Sequence, residues 1–157
     1  MSEQKIEKKK MSKKNIIILI IVILVAVMVG LSLVASWILP KNKPLEESTI
    51  FSTEEVEVKC MAVIFALNEE DYESLQNEYA DATMKSFLTK EQMDSAKSSL
   101  DVDWNASVSF GEATMTEITQ MGKTYAVAQL PVEYGEKTVT YTLTFDTNYK
   151  LAGLYMK

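Results

Sequence analysis

The chain has 157 residues, with 16 Lys and no Arg, 22 Asp plus Glu and no His, for a formal charge of −6. The missing His removes the commonest general base and metal ligand, and the missing Arg removes the bidentate clamp for phosphate or carboxylate. The lone Cys60 excludes an internal disulfide and offers no zinc spacing.

Charge is split along the chain. Residues 1–15 carry Lys5, Lys8, Lys9, Lys10, Lys13 and Lys14 against Glu3 and Glu7, a net of +4. From Lys41 onward, 10 Lys face 20 Asp plus Glu, a net of −10. Such an acidic region repels nucleic acid and anionic lipid head groups, so neither is an expected partner. Between the two lie residues 16–39, IIILIIVILVAVMVGLSLVASWIL, which is 24 residues without a charge. As a helix at ~1.5 Å per residue this run is ~36 Å long. A bilayer core is ~30 Å thick, so a single transmembrane helix is expected over 16–39. Lysine flanks stay in the cytoplasm. Residues 1–15 therefore read as a cytoplasmic tail, and the carboxy-terminal part as extracytoplasmic. Val34-Ala35-Ser36 offers small residues before a cut at Trp37, but signal-peptide cores run only ~7–15 apolar residues. Cys60 follows Val-Glu-Val-Lys rather than a lipobox. Ala26 and Gly30 have small-xxx-small spacing and read as ordinary membrane-helix composition. Trp37 suits the interfacial belt, and Pro40 stops the helix. Residues 40–51, with Pro44 and paired glutamates, read as a linker.

Residues 52–157 read as one small domain. Ser52-Thr53-Glu54-Glu55 is a capping box that opens a helix. Val56, Cys60, Val63, Ile64 and Leu67 then share one helical face, so Cys60 is expected as a buried apolar residue rather than a nucleophile. Asn68 ends this helix or caps the next. Residues 71–82 carry Tyr72, Leu75 and Tyr79 at helical spacing. Met84, Phe87 and Leu88 follow as an apolar cluster. Thr89-Lys90-Glu91-Gln92 is a second capping box, for a helix running to about Leu100.

After Leu100 the period changes to two. Val139, Tyr141, Leu143 and Phe145 alternate with Thr138, Thr140, Thr142 and Thr144, which predicts a strand with one buried face. Residues 124–134 and 151–156 predict two more, with Pro131 marking an edge or a bulge. Residues 107–119 predict a fourth. Turns fall at Met121-Gly122-Lys123, Tyr134-Gly135-Glu136 and Asp146-Thr147-Asn148. Short turns imply an antiparallel meander, and helices followed by strands imply an α+β fold with the helices on one face of the sheet.

Five segments carry a resemblance: FALNEEDYESL at 65–75, MKSFLTKEQM at 84–93, AVAQLPVEYG at 126–135, VTYTLTFD at 139–146 and KLAGLYMK at 150–157. Together they resemble a bacterial domain-of-unknown-function family. That family occurs alone behind a membrane anchor or lipoprotein signal, or ahead of α/β-hydrolase domains. It is similar to the nuclear transport factor 2-like, cystatin-like cone fold. The resemblance covers roughly residues 53–157. It implies a curved antiparallel sheet wrapped on helices with a cavity at the open end, and it carries over no active residues.

Several groups of residues are candidate sites. Residues 101–112 nearly fit a calcium loop, with Asp101, Asp103, Asn105 and Glu112 at ligand positions. Ala106 stands where the sharp turn wants Gly, and a strand rather than a helix follows, so no metal is expected there. Glu69, Glu70, Asp71 and Glu73 form an acid cluster that reads as solvated helix-start charge, favoured by the helix dipole. Asn105-Ala106-Ser107 is formally a glycosylation sequon, a triplet that also arises by chance. Tyr125, Tyr141, Phe145 and Tyr155 are the candidate lining of a ligand pocket in the cone, against the plainer reading of aromatic core. No cofactor is expected. The functional expectation is a membrane-anchored, extracytoplasmic, non-catalytic binding or accessory module for a cell-envelope ligand or membrane partner. The alternatives are an envelope enzyme using carboxylates and tyrosines, and a structural spacer.

Overall fold

The computed structural model describes residues 27–29, 35 and 39–157. Residues 27–29 and 35 are helical, and residues 40–157 form a compact unit of their own. The expected span over 16–39 falls largely, and the tail over 1–15 wholly, outside the described residues. Among the described residues no helix is long and apolar enough to cross a membrane.

The unit is α+β, with helices packed on a six-stranded antiparallel sheet. Its strands are β1 (Lys41–Pro44), β2 (Val108–Phe110), β3 (Thr114–Gln120), β4 (Lys123–Tyr134), β5 (Lys137–Phe145) and β6 (Leu151–Met156). They lie in the order β1-β3-β4-β5-β6, and β2 also pairs with β4. Two-residue turns join β3 to β4 and β4 to β5. Met121 and Gly122 both take positive φ in the first, as a type I′ turn requires, and Gly135 does in the second.

Helix α1 (Thr53–Asn68) begins where the capping box predicts, with Ser52 Oγ accepting from Glu55 N. Its buried residues are Val56, Cys60, Val63, Ile64 and Leu67, the expected stripe, and they face β4. The opposing sheet face supplies Ala126, Ala128, Leu130, Val132 and Tyr134 from β4 and Val139, Tyr141, Leu143 and Phe145 from β5, all buried. Helix α2 (Tyr72–Ser74) opens on Asp71, whose side chain accepts from Ser74 N. The helix expected over 71–82 does not continue regularly; it widens into one π turn, Leu75–Tyr79. The cause is the exit. Ala80 donates back to Leu75 O at 2.9 Å and then bridges in parallel to Leu151 of β6, so the chain leaves the helix to meet the sheet. Helix α3 (Lys90–Ser98) is capped by Thr89 Oγ1, as its sequence predicts.

Two expectations are corrected. The single strand over 107–119 is split into β2 and β3 at Gly111. Gly111 donates to Pro131 O at 2.8 Å, and a Cβ on it would stand 2.8 Å from Pro131 Cγ. Pro131 has no N–H to give, so the break in the neighbouring strand falls where the donor is missing. The linker over 40–51 belongs to the folded unit. Lys41–Pro44 pair with Thr116–Thr119 of β3, Leu45 is buried, and Lys43 Nζ meets Glu117 Oε1 at 3.2 Å. Ser48 Oγ donates to the other Glu117 oxygen at 2.6 Å. The buried carboxylate thus has a cation and a hydroxyl, which offsets its desolvation.

Candidate functional site

The richest grouping of polar chemistry sits where α1 ends, beside α3 and the loop that follows it. Helix α1 stops in a Schellman motif. Asp71 N reaches Ala66 O at 2.9 Å, Glu70 N reaches Leu67 O at 3.4 Å, and Glu70 takes φ +56° where Gly is usual. That turn aims the Glu70 carboxylate at Lys90, with Oε2 to Nζ at 2.6 Å. Lys90 Nζ also reaches Asp94 Oδ2 at 3.4 Å. The Lys90 hydrogen bond and charge hold Glu70 below the usual carboxylate range. Hydrogen bonds from Ser74 do the same for Asp71.

Lys97 lies on the buried side of α3, one turn after buried Met93. Its Nζ donates to Leu67 O at 2.9 Å and stands 5.4 Å from the centre of the Trp104 ring, within cation–π range. Burial pushes the Lys97 ammonium below its ordinary value, while Glu70 and Asp94 pull the other way. Trp104 in turn packs edge-on against Tyr134 at 5.0 Å. Behind it the Tyr134 hydroxyl donates to Asn68 Oδ1 at 2.9 Å and lies 2.6 Å from the Tyr141 hydroxyl. Tyr134 has one proton and spends it on Asn68, so Tyr141 is the donor between the tyrosines. Burial raises both phenols above their usual range. The Tyr72 hydroxyl, also raised by burial and by nearby Glu70 and Asp94, has no hydrogen-bond partner among the described residues. A cleft of about 420 Å³ opens onto this group, lined by Glu70, Asp94, Lys97, Leu100, Val102 and Trp104 among others.

The four aromatics expected to line one pocket do not meet in one. Tyr141 and Phe145 are buried on the helix-covered face of the sheet. Tyr125 and Tyr155 stand on the opposite, solvent-facing side, in different rows. Tyr155 is across from Thr142, which pairs with Gln129, while Tyr125 is across from Ile118. Side chains alternate across a strand, so odd-numbered residues of β4 and even-numbered residues of β5 share the open face. The calcium candidates likewise do not converge. Asp101 is exposed and accepts from Lys137 Nζ at 3.1 Å, and Asp103 accepts from Asn105 N. Among the described residues no three His, Cys, Asp or Glu side chains are grouped as for a metal ion. Cys60 is fully buried, and burial, with Glu57 second, pushes its thiol up to about 12.

Sequence reasoning did not single out Lys97, Trp104 or Tyr134. Lys97 did leave a signal: it falls four residues after Met93, on the apolar side of a helix, where a charge needs a special environment.

The profile of a family described as proteins of unknown function, DUF3887, matches residues 61–154. No curated protein matches the chain. A protein from Ruminococcus gnavus solved by NMR is similar, with 26% sequence identity, a TM-score of 0.61, and alignment over 74% of this chain and 99% of that one. The profile covers the second half of α1, all of α2 and α3, and the strands from β2 through most of β6, and so contains most of the core and the Lys97–Trp104 cleft. On that match the chain belongs to the DUF3887 family.

Proposed function

We propose that residues 40–157 are a non-catalytic binding or accessory module, held at the outer face of a bacterial membrane by a helix over 16–39. Its ligand is a cell-envelope component or a neighbouring membrane protein, and its site is the Lys97–Trp104 cleft. In this reading the unit is a cone of the nuclear transport factor 2-like, cystatin-like kind, with the cleft at its mouth. The tether raises the effective concentration of membrane neighbours at that mouth.

The observation that carries the reading is the character of the cleft. An indole wall, two aliphatic side chains and one buried ammonium stand beside two carboxylates that share Lys90. Mixed apolar lining with a few fixed polar groups suits recognition. Acid–base catalysis calls instead for groups tuned toward neutral pH. Here Glu70 and Asp71 are held low, and the thiol and the paired phenols are held high; Lys97 alone is moved toward neutral pH, and its ammonium is tied to the Leu67 carbonyl.

The test places a photo-crosslinking residue at Ser98, on the rim, in the full chain in intact cells. The expected result is one discrete adduct that disappears in a Trp104→Ala background at equal protein level. The same cells, treated with external protease, lose residues 40–157 and keep a small membrane fragment. Adducts indifferent to Trp104, or turnover of an envelope substrate by the purified domain that Glu70→Gln abolishes, would sink the binding reading.

A further inference from the structure

The sheet face away from the helices has a composition the rest of the domain lacks. Register places its residues in rows across the strands. Thr114, Gln129, Thr142 and Tyr155 form one row, and Thr116, Val127, Thr144 and Gly153 form the next. At ~4.8 Å between strands, a row of four spans ~14 Å. Ile118 and Tyr125 extend the face on one side, and Pro131 and Thr140 on the other. None of these residues is buried. None carries a charge, although 10 Lys and 20 Asp plus Glu are spread over the 117 residues from Lys41 to Lys157. Charges stand at its margins: Lys123 and Asp146 beside Tyr125, Glu133 held by Ser109 Oγ at 2.9 Å, the terminal Lys157, and Lys43 and Glu46 along the β1 edge next to Thr114 and Thr116. Tyr155 lies 61% exposed at the edge of the array.

From this array we infer that the open face binds a neutral glycan chain. An ionic ligand would find no counter-charge over the two central rows. A purely apolar ligand would strand the threonine hydroxyls and the Gln129 amide, each at a cost in lost hydrogen bonding. A sugar chain matches both features, since its hydroxyls exchange hydrogen bonds with Thr and Gln and its C–H faces cover the exposed tyrosine ring. Small molecules need concave sites that enclose most of their surface. An open sheet face encloses none, so the ligand is extended and gains affinity along its length. This site is separate from the cleft, which lies among the helices on the other side of the sheet.

The test uses residues 40–157 as a soluble fragment. That unit is compact by itself, and the Ruminococcus gnavus chain it matches over 99% of its length was solved in solution. Amide resonances are followed while three neutral hexasaccharides are added: N-acetylchitohexaose, cellohexaose and maltohexaose. Fully deacetylated chitosan hexamer and hexagalacturonate serve as cationic and anionic controls. At least one neutral chain is expected to shift Gln129, Thr142 and Tyr155, and Tyr155→Ala is expected to weaken it by about tenfold while the spectrum stays folded. Trp104→Ala is expected to leave this binding unchanged, so failure here and failure of the cleft reading are separate results. No shifts from any neutral chain at about 1 mM would overturn the inference. So would shifts confined to the cleft, a charged hexamer binding as well as the neutral ones, or self-association through this face that Tyr155→Ala abolishes.

Discussion

The paired tyrosines behind Trp104 allow a signed prediction. The chain of hydroxyls runs one way, from Tyr141 to Tyr134 to Asn68 Oδ1. A buried hydrogen bond is worth ~1 kcal/mol net, and a buried hydroxyl left without a partner costs ~1–3 kcal/mol. Tyr141→Phe removes one bond and strands nothing, for a loss of about 1 kcal/mol. Tyr134→Phe removes two bonds and strands the Tyr141 hydroxyl in the core, for a loss of about 3–5 kcal/mol. The double substitution removes the same two bonds and leaves no stranded hydroxyl, for about 2 kcal/mol. The double variant is therefore more stable than Tyr134→Phe alone, a coupling that additive contacts do not produce. Urea unfolding of residues 40–157, followed by the fluorescence of Trp104 against the Tyr134 ring, measures all three. A double variant less stable than Tyr134→Phe would show that the hydroxyls are not coupled as the geometry requires.

The raised thiol and full burial of Cys60 predict no reaction with iodoacetamide in the native protein and full reaction in urea; rapid native labelling would refute the packing described for α1. Gly111→Ala should cost ~1–3 kcal/mol, because its Cβ meets Pro131 Cγ, and a wild-type melting temperature would refute that contact. Burial holds the Lys97 ammonium below its ordinary value, so the unfolded chain binds that proton more tightly. Stability therefore gains a rising component as pH climbs toward the ordinary lysine value of ~10.4. Lys97→Met should remove that component, and urea midpoints taken from neutral pH upward, short of tyrosine ionisation, would refute this if the two slopes agree.

The sequence displayed the parts of the fold that obey a period. The α1 stripe and the alternation over 139–145 each mark a buried face, and each forms as read. β1 was illegible for a physical reason. Lys-Asn-Lys-Pro is what an edge strand uses to discourage further pairing, so it carries no apolar alternation and resembles a linker. The break at Gly111 was half visible: Pro131 marks a missing donor, but which neighbouring strand gives way depends on register. The pocket aromatics failed on parity. Tyr125 and Tyr141 sit on adjacent strands, and only the pairing of Leu130 with Tyr141 reveals that they face opposite ways. The cleft was least legible. Lys97, Trp104 and Tyr134 are far apart in sequence, and the α1 carbonyl of Leu67 that accepts from Lys97 leaves no mark on side-chain pattern.

The attachment of β1 makes the domain's response to tension directional. Pro40 leads straight into β1, so a pull on the chain at that point acts on the β1–β3 ladder before any other part of the sheet. The rungs are loaded in sequence, first Lys41 with Thr119, then Asn42 with Ile118, then Lys43 with Glu117. The third rung is where the ion pair sits, and Ser48 grips the same carboxylate from beyond buried Leu45. After two rungs the pull meets this doubly held carboxylate. A pull that passes this point uncovers the edge of β3 and a carboxylate that had been buried, turning a closed margin of the sheet into a strand-accepting, negatively charged one.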